Sequence, residues 1–388
     1  MECVRLPDLV VTFQPDATLL VRSRTSGVGA VVPLAAAGVL AYCGDPRTAD
    51  DVEAQRGPAG RTLFEALVDI GLLAEPASAA QTPVFFANYA DVGIHRRMLA
   101  DRPRVDAYAE AIAQTVRPGM AVLDAGTGNG LLACLAARAG ARVVYAVDNS
   151  EILDLARDVF ARNGVEDVVR PIRADLRKVV LPEKVDLVVT ETFGLFALAE
   201  GAAADLSRCL DRNLAPGGRV VPQGVTLYLA PVGDPTLFQQ SVGVLDDVRG
   251  LSFDPLRALA RDRARGLDLL PEALLAPGQP WLETPWPGPG EGAGRLRFEA
   301  LPGGVFCGLA GWFVVQMTDD LHLSTAPGAP PTHWGQVYFP VEPVEVRAGD
   351  TLEIDAAVRV APEDRRGVDL LGSWSLGHQE GSLAHRVR

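Results

Sequence analysis

The sequence has no C-x-x-C pair, and no apolar run near the roughly 18 residues that a membrane-spanning helix needs. It also carries no excess of basic charge. Its five cysteines (Cys3, Cys43, Cys134, Cys209, Cys307) are scattered and odd in number. That argues against a disulfide framework and a zinc site, so no metal is expected, and it fits a reducing compartment. The formal net charge of −13 disfavours nucleic acid, whose phosphates need a basic surface. An acidic field suits a cationic substrate, although the same charge also serves solubility. The first residues lack the basic and apolar regions of a signal peptide, so a cytoplasmic location and no membrane are expected. With 388 residues and 48% hydrophobic content, two or three domains are expected.

What is present is organised around Val122-Leu-Asp124-Ala-Gly126-Thr-Gly128-Asn-Gly130-Leu-Leu132. An apolar run ends in an acid, three glycines follow at every second position, and a helical pattern begins. This spacing predicts a strand, a tight turn and a helix N-terminus, with glycine where backbone must approach a ligand or take positive φ. Asp148 closes a second apolar run, Val143 to Val147, where an acid can accept hydrogen bonds from both hydroxyls of a ribose. The G-x-G-x-G spacing after Asp124 suits S-adenosylmethionine better than NAD.

Residues 1–80 read as a small α+β domain. Its strands are Leu9 to Phe13 and Leu19 to Arg22, and its helices are Leu34 to Tyr42, one starting near Thr48, and Leu63 to Ile70. Ending in Gly71-Leu72-Leu73, it resembles the small winged-helix domains that bind leader peptides. Glu75 to Pro83 is a linker. Strands at 121–124, 143–147, about 168–172 and 185–189 alternate with helices, which implies a parallel doubly wound sheet over residues 84–222. Residues 254–270 read as a helix with Leu256, Leu259, Leu267 and Leu270 on one face, and Pro277 to Gly294 as a loop. The β-rich segments of residues 223–388 suggest an antiparallel barrel or sandwich.

Glu191 and Glu200 frame an apolar, glycine-containing loop that begins where the run Val185 to Val189 ends. Ligands of open α/β sheets bind at that edge, and two acids there can grip one cation. At this point the chain from Phe85 onward resembles the protein arginine N-methyltransferases. The resemblance is carried by Phe85-Phe86-Ala-Asn-Tyr89, Gly93-Ile94-His95, the glycine turn, the two glutamates and Thr332-His333-Trp334. It implies a Rossmann-like methyltransferase domain and a β-barrel domain. It also implies a helical dimerisation arm near 235–285, a homodimer, and S-adenosyl-L-methionine as donor with S-adenosyl-L-homocysteine as product. Carried over residue by residue, Arg104 would meet the methionine carboxylate and Asp148 the ribose. Phe86, Tyr89, Asp124, Gly126, Gly128, Gly130, Asn149 and Glu191 would complete the cofactor site. Glu191 and Glu200 would clamp the acceptor guanidinium, His333 would pair with Asp101, and Tyr89, Met98 and Trp334 would line the acceptor pocket.

The sequence departs from this family at several places. Phe85 stands for a tyrosine, Phe193 for a methionine, and Arg177-Lys178 for an acidic pair that contacts adenine, with Asp175 as the substitute. Arg96 and Arg97 stand for two acids that receive basic protein segments. Together with the alanine-, arginine- and proline-rich composition, these arginines lead to the expectation of a bacterial natural-product enzyme. Its acceptor would be free L-arginine or a small derivative, whose α-carboxylate Arg96 or Arg97 would bind. Two further readings stand beside it: leader-guided methylation of a peptidyl arginine, with residues 1–80 adding a strand, and a catalytically silent scaffold subunit.

Overall fold

Short runs with apolar residues on alternate positions build the first part of the computed structural model, which describes residues 2–5, 9–13, 18–23, 29–74, 92–199, 201–288, 290–361 and 364–387. Contacts divide the chain into two units, residues 1–96 with 150–152 and residues 97–149 with 153–388. In the first unit, β1 (Val4–Arg5) is followed by a meander of β2 (Leu9–Phe13), β3 (Thr18–Ser23) and β4 (Gly29–Pro33). Then come α1 (Ala36–Tyr42), α2 (Ala49–Asp69) and β5 (Leu73–Ala74). Leu19, Val21 and Val32 of the meander bury with Val39, Leu40, Phe64 and Leu67 of the helices. The first turn of α2 is closed by a capping box between Thr48 and Asp51. This reciprocal pair satisfies two amides that would otherwise be orphaned. Gly57, with φ of 73°, kinks the helix just before Pro58, where the missing N–H and the ring disfavour a straight path. β4 was not foreseen in the sequence. After Gly71 the described residues end in β5, which pairs antiparallel with β1.

In the second unit, α3 (Val92–Ala100), which starts in the first, leads to α4 (Arg102–Thr115). The strands β6 (Ala121–Ala125), β7 (Val143–Asp148), β8 (Val169–Arg173), β9 (Val185–Thr190) and β10 (Leu214–Val221) form one sheet in the order β10-β9-β6-β7-β8. Every pairing in it is parallel. The helices α5 (Leu131–Arg138), α6 (Ile152–Arg162) and α7 (Ala202–Asn213) provide the crossovers. The strand order reverses between β6 and β9, so the turns after these two strands flank the crevice where such sheets bind ligands.

The remaining chain is antiparallel. β11 (Gly224–Val232), α8 (Pro235–Ser241), α9 (Asp254–Arg261), β12 (Arg265–Leu267) and β13 (Gln279–Pro285) come first. β14 (Gly292–Phe298), β15 (Gly304–Gln316), β16 (His322–Ser324), β17 (Gln336–Val346), β18 (Leu352–Ala361), β19 (Asp364–Leu376) and β20 (Gln379–Val387) follow. One sheet runs β12-β17-β15-β11-β13 with β16 on β15, and the other runs β14-β18-β19-β20. A continuous apolar core joins the parallel sheet to both, through residues such as Leu187, Phe193, Phe313, Phe339 and Trp374. The fold is thus a Rossmann-like α/β core with a β-sheet subdomain.

Two local expectations fail here. The helix expected over 254–270 ends at Arg261, because Arg265 to Leu267 pairs with Gln336 to Tyr338. A free sheet edge outweighs apolar periodicity interrupted by Gly266. The proline-rich stretch expected as a loop contains β13, which tolerates Pro280 and Pro285 because it ends its sheet and an edge strand can lack ladder donors.

Gly130 caps α5 in the left-handed region, with φ of 86°, and a Cβ there would lie 2.4 Å from the Phe160 ring. Gly130→Ala should lose about 3 kcal/mol of stability from left-handed strain plus overpacking. Urea unfolding measures it, and a loss under 1 kcal/mol, by the same reasoning, would mean that this turn is not built as described.

Candidate active site

The first turn of α4 assembles the site. Asp101 is its N-cap, and its carboxylate accepts from the Arg104 amide at 3.1 Å. The same carboxylate accepts from the His333 amide at 2.8 Å and meets the His333 ring at Nδ1, 2.7 Å away. Burial would push this carboxyl up, but the bonds from the His333 ring and amide and from the Arg104 amide outweigh it and hold it below the usual range. Three residues on, Arg104 donates from one terminal nitrogen to Glu191 at 2.7 Å and from the other to the Met98 carbonyl at 3.0 Å. The side chains of this ion pair are only 5% and 9% exposed, so solvent screens it little. One helix turn therefore ties the exit of β9 to the Thr332-His333-Trp334 segment.

The glycine turn lies at the neighbouring strand end. Gly126, Gly128 and Gly130 all have left-handed φ, at 80°, 51° and 86°. The amides of Gly126 and Thr127 donate to the Val147 carbonyl, folding the turn onto β7. The Gly128 amide donates to the Asp148 carboxylate at 2.9 Å. Asp124 is fully buried and accepts from the Thr127 hydroxyl at 2.6 Å. Burial pushes its carboxyl up to about 7, against the lowering effect of that hydroxyl.

These residues fit S-adenosylmethionine. The Nε of Arg104 is a buried donor without a hydrogen-bond partner among the described residues, as suits a guanidinium that has a carboxylate still to meet. At Gly126 a Cβ would come within 3.0 Å of Thr192, so the bare backbone keeps the cradle open. Asp148 stands at the end of β7, where a ribose is held in such sheets.

Other expected residues lie elsewhere or carry other contacts. Phe86, Tyr89 and Glu200, like Phe85, fall outside the described residues. Met98 is half-buried and contributes its carbonyl. Asn149 is exposed. Asp175 is held by Arg177, an arginine of its own loop, through bonds of 2.6 to 3.0 Å. Trp334 is buried, and its indole Nε1 donates to the Phe193 carbonyl at 3.0 Å. It ties the Glu191 loop to the β-sheet subdomain. Arg96 and Arg97 are both exposed on α3. Tyr108, buried with its hydroxyl on the Thr190 carbonyl at 3.0 Å, was missed. Its position four residues after Arg104, on the same helix face, was the available signal.

Comparison with known proteins agrees with this geometry. Residues 122–218 match the methyltransferase domain family, and residues 293–379 match the arginine methyltransferase oligomerization subdomain. The chain is 29% identical over 341 residues to a probable protein arginine N-methyltransferase 6 of Arabidopsis thaliana, covering 74% of this chain and 77% of that one. It is 35% identical over 179 residues to protein arginine N-methyltransferase 1 of Dictyostelium discoideum, covering 45% and 52%. In structure it resembles the Trypanosoma brucei PRMT1 enzyme–prozyme heterotetrameric complex with AdoHcy, with a TM-score of 0.72 and 25% identity over 77% of this chain and 99% of that one. It also resembles Arabidopsis thaliana protein arginine methyltransferase 10, with a TM-score of 0.70 and 26% identity over 78% and 100%. The chain is an arginine N-methyltransferase, and S-adenosylmethionine is its cofactor.

Three expectations are corrected by these matches. The similar proteins are eukaryotic protein arginine N-methyltransferases, not enzymes of a bacterial natural-product pathway. For the same reason free L-arginine is set aside as the acceptor, and a small-molecule arginine as the partner. The case for both rested on the side chains of Arg96 and Arg97, whose direction the sequence does not give.

Asp124 gives a pH test. Its folded pKa, about 7, lies above its ordinary value of 3.8. The native state therefore keeps a proton that the unfolded chain releases, and stability falls as pH rises from about 4 to 7. Asp124→Asn removes this loss, so its stability gain at pH 8 should exceed that at pH 5 by on the order of 2 kcal/mol. Equal gains in denaturant unfolding at the two pH values would contradict it.

Proposed function

We propose that this arginine N-methyltransferase modifies arginine side chains within protein or peptide substrates. The observation that carries the reading is the buried pair of Arg104 and Glu191 joined through Asp101 to His333, in a chain similar along most of its length to protein arginine N-methyltransferases. The net charge of −13 favours arginine-bearing partners.

The roles are carried over from the family resemblance, and the contacts of Arg104, Asp101 and His333 support them. Arg104 holds the carboxylate of the cofactor, Asp148 its ribose, and the glycine turn leaves room for both. The cofactor, when bound, supplies a methyl group on a sulfonium. An arginine side chain has a pKa of roughly 13.8 and a delocalised, weakly nucleophilic nitrogen. Glu191, with Glu200, holds the guanidinium by paired N–H bonds and draws positive charge away from the attacking nitrogen. As that nitrogen takes the methyl, its proton would pass to a glutamate or to Nε2 of His333. Asp101, holding Nδ1, orients the ring.

Glu191→Gln should lower methyl transfer to an arginine peptide by about 10- to 150-fold, the rate equivalent of one charge-assisted hydrogen bond. Calorimetry should find S-adenosylhomocysteine binding close to that of the unaltered protein. Unchanged turnover by mass spectrometry would remove Glu191 from the acceptor site, and activity on free arginine alone would overturn the proposed substrate class.

The first unit is read as a recruiting module. β4 pairs only with β3 among the described residues, and Val31 and Leu34 beside that edge are exposed. An open strand edge with apolar side chains accepts an extended peptide by strand addition. The cysteines of the described residues are buried, which suits work in a reducing compartment such as the cytoplasm.

We also infer a homodimer through the arm near 235–285. Val244, Leu251, Leu256, Leu259 and Leu270 are exposed along this stretch, and exposed apolar side chains grouped on one segment suit an interface. Arg257 fixes α9 by a two-point pair with Glu342 at 2.6 and 3.0 Å and a contact with Asp246. Light scattering at micromolar concentration should give twice the chain mass, and Leu256→Asp with Leu259→Asp should give a monomer. A monomeric unaltered protein would contradict the arm's role.

A further inference from the structure

The turn that follows Glu191 is held in a conformation its residue types disfavour. Phe196 and Ala197 are both left-handed, with φ of 55° and 60°. For residues with a Cβ this costs roughly 1–2 kcal/mol each. Such a turn persists only where its surroundings over-determine it. Its own amides supply part of the restraint: Ala197 donates to Gly194, Leu198 to Phe196 and Ala199 to Leu195, at 3.0, 2.7 and 3.2 Å.

The β-sheet subdomain supplies the rest. Phe196 is 1% exposed. Its ring lies parallel to Trp281 of β13, 6.3 Å away, and edge-on to Phe339 of β17, 5.6 Å away. Beneath it is Gly311 of β15, where a Cβ would lie 2.7 Å from the Phe196 ring and 2.9 Å from the Phe339 ring. Gly311 does not have left-handed φ, so its backbone conformation does not require glycine. The ring seated against it does. Upstream in the same turn, the Phe193 amide approaches the Glu191 carboxylate at 3.4 Å, and Phe193 packs between Trp286, Phe313 and Trp334.

We propose that Phe196, seated on Gly311 between Trp281 and Phe339, is a positioning residue that fixes the turn after β9 and so sets the Glu191 carboxylate against Arg104. The proposal rests on the reading of Glu191 as the group that holds the acceptor guanidinium. Phe196 touches none of the reacting atoms in this scheme. It converts the rigidity of the β-sheet subdomain into the direction of one carboxylate, and a shift of about 1 Å at such a group is enough to cost on the order of 100-fold in rate.

The test uses the full chain with Phe196→Leu, Gly311→Ala and the two combined. Activity is read on an arginine peptide that the unaltered protein methylates, S-adenosylhomocysteine binding by calorimetry, and amide exchange over 191–199 by mass spectrometry. Each single variant should lose about tenfold or more in kcat/KM and exchange faster over 191–199. Cofactor affinity should stay within about twofold, since the glycine turn and Arg104 are unaltered. The combined variant should recover much of the activity, because the added methyl fills space left by the shorter side chain.

Full kcat/KM in Phe196→Leu below its melting temperature would overturn the proposal. So would a loss of cofactor binding in step with activity, or a combined variant no better than the singles. If Gly311→Ala does not fold, Phe196→Leu decides by the same readouts. If the unaltered protein methylates no arginine peptide, the substrate reading fails, and amide exchange over 191–199 still judges the positioning claim.

Discussion

Everything at the site depends on one buried ion pair, Arg104 with Glu191. Taking two charges out of water costs several kcal/mol per ion, and their attraction offsets this only with good geometry and further hydrogen bonds. Both are supplied locally. The Met98 carbonyl receives the second nitrogen of Arg104. Asp101 caps the helix on which Arg104 sits, and so fixes where the guanidinium begins. A pair of apolar side chains would fill this space at least as stably. Retaining charge here makes sense where charged groups, a carboxylate and a guanidinium, are to be received.

The parallel sheet and its motifs were legible in the sequence because their signals are local. The four strands before β10 begin and end within a residue or two of their apolar runs. The glycine turn was legible for the same reason: left-handed φ at Gly126, Gly128 and Gly130 is a demand that other residues meet badly. The pairing of Asp101 with His333, 232 positions apart, came only from the resemblance, since no spacing rule joins them. What failed locally failed to a tertiary partner. The Leu256 to Leu270 stripe looked like one helix until β17 offered an edge to its second half.

The acceptor was misread for a related reason. Arg96 and Arg97 differ from the residues the resemblance expects there, and the expected acceptor carboxylate rests on that difference alone. A substitution establishes which charge is present and not where the side chain points. Both lie exposed on α3, a setting in which single charges carry little information about a pocket. The net charge of the whole chain was the sounder guide, because a field summed over the surface does not depend on the rotamer of any one residue.

Two kinds of structure therefore meet at Glu191. The parallel sheet delivers the residue to its carboxyl edge, as it delivers Asp124 and Asp148, by strand order alone. It does not determine the path of the chain beyond Thr190. That path is fixed by the β-sheet subdomain, which takes the Phe193 carbonyl on Trp334 and the Phe196 ring on Gly311, and which returns His333 to Asp101. Left-handed residues in the turn give it no conformational preference of its own to fall back on. A carboxylate that must be held within fractions of an ångström is thus placed by packing from outside its own domain. Phe193 and Phe196 themselves belong to the apolar core that runs through residues of both halves.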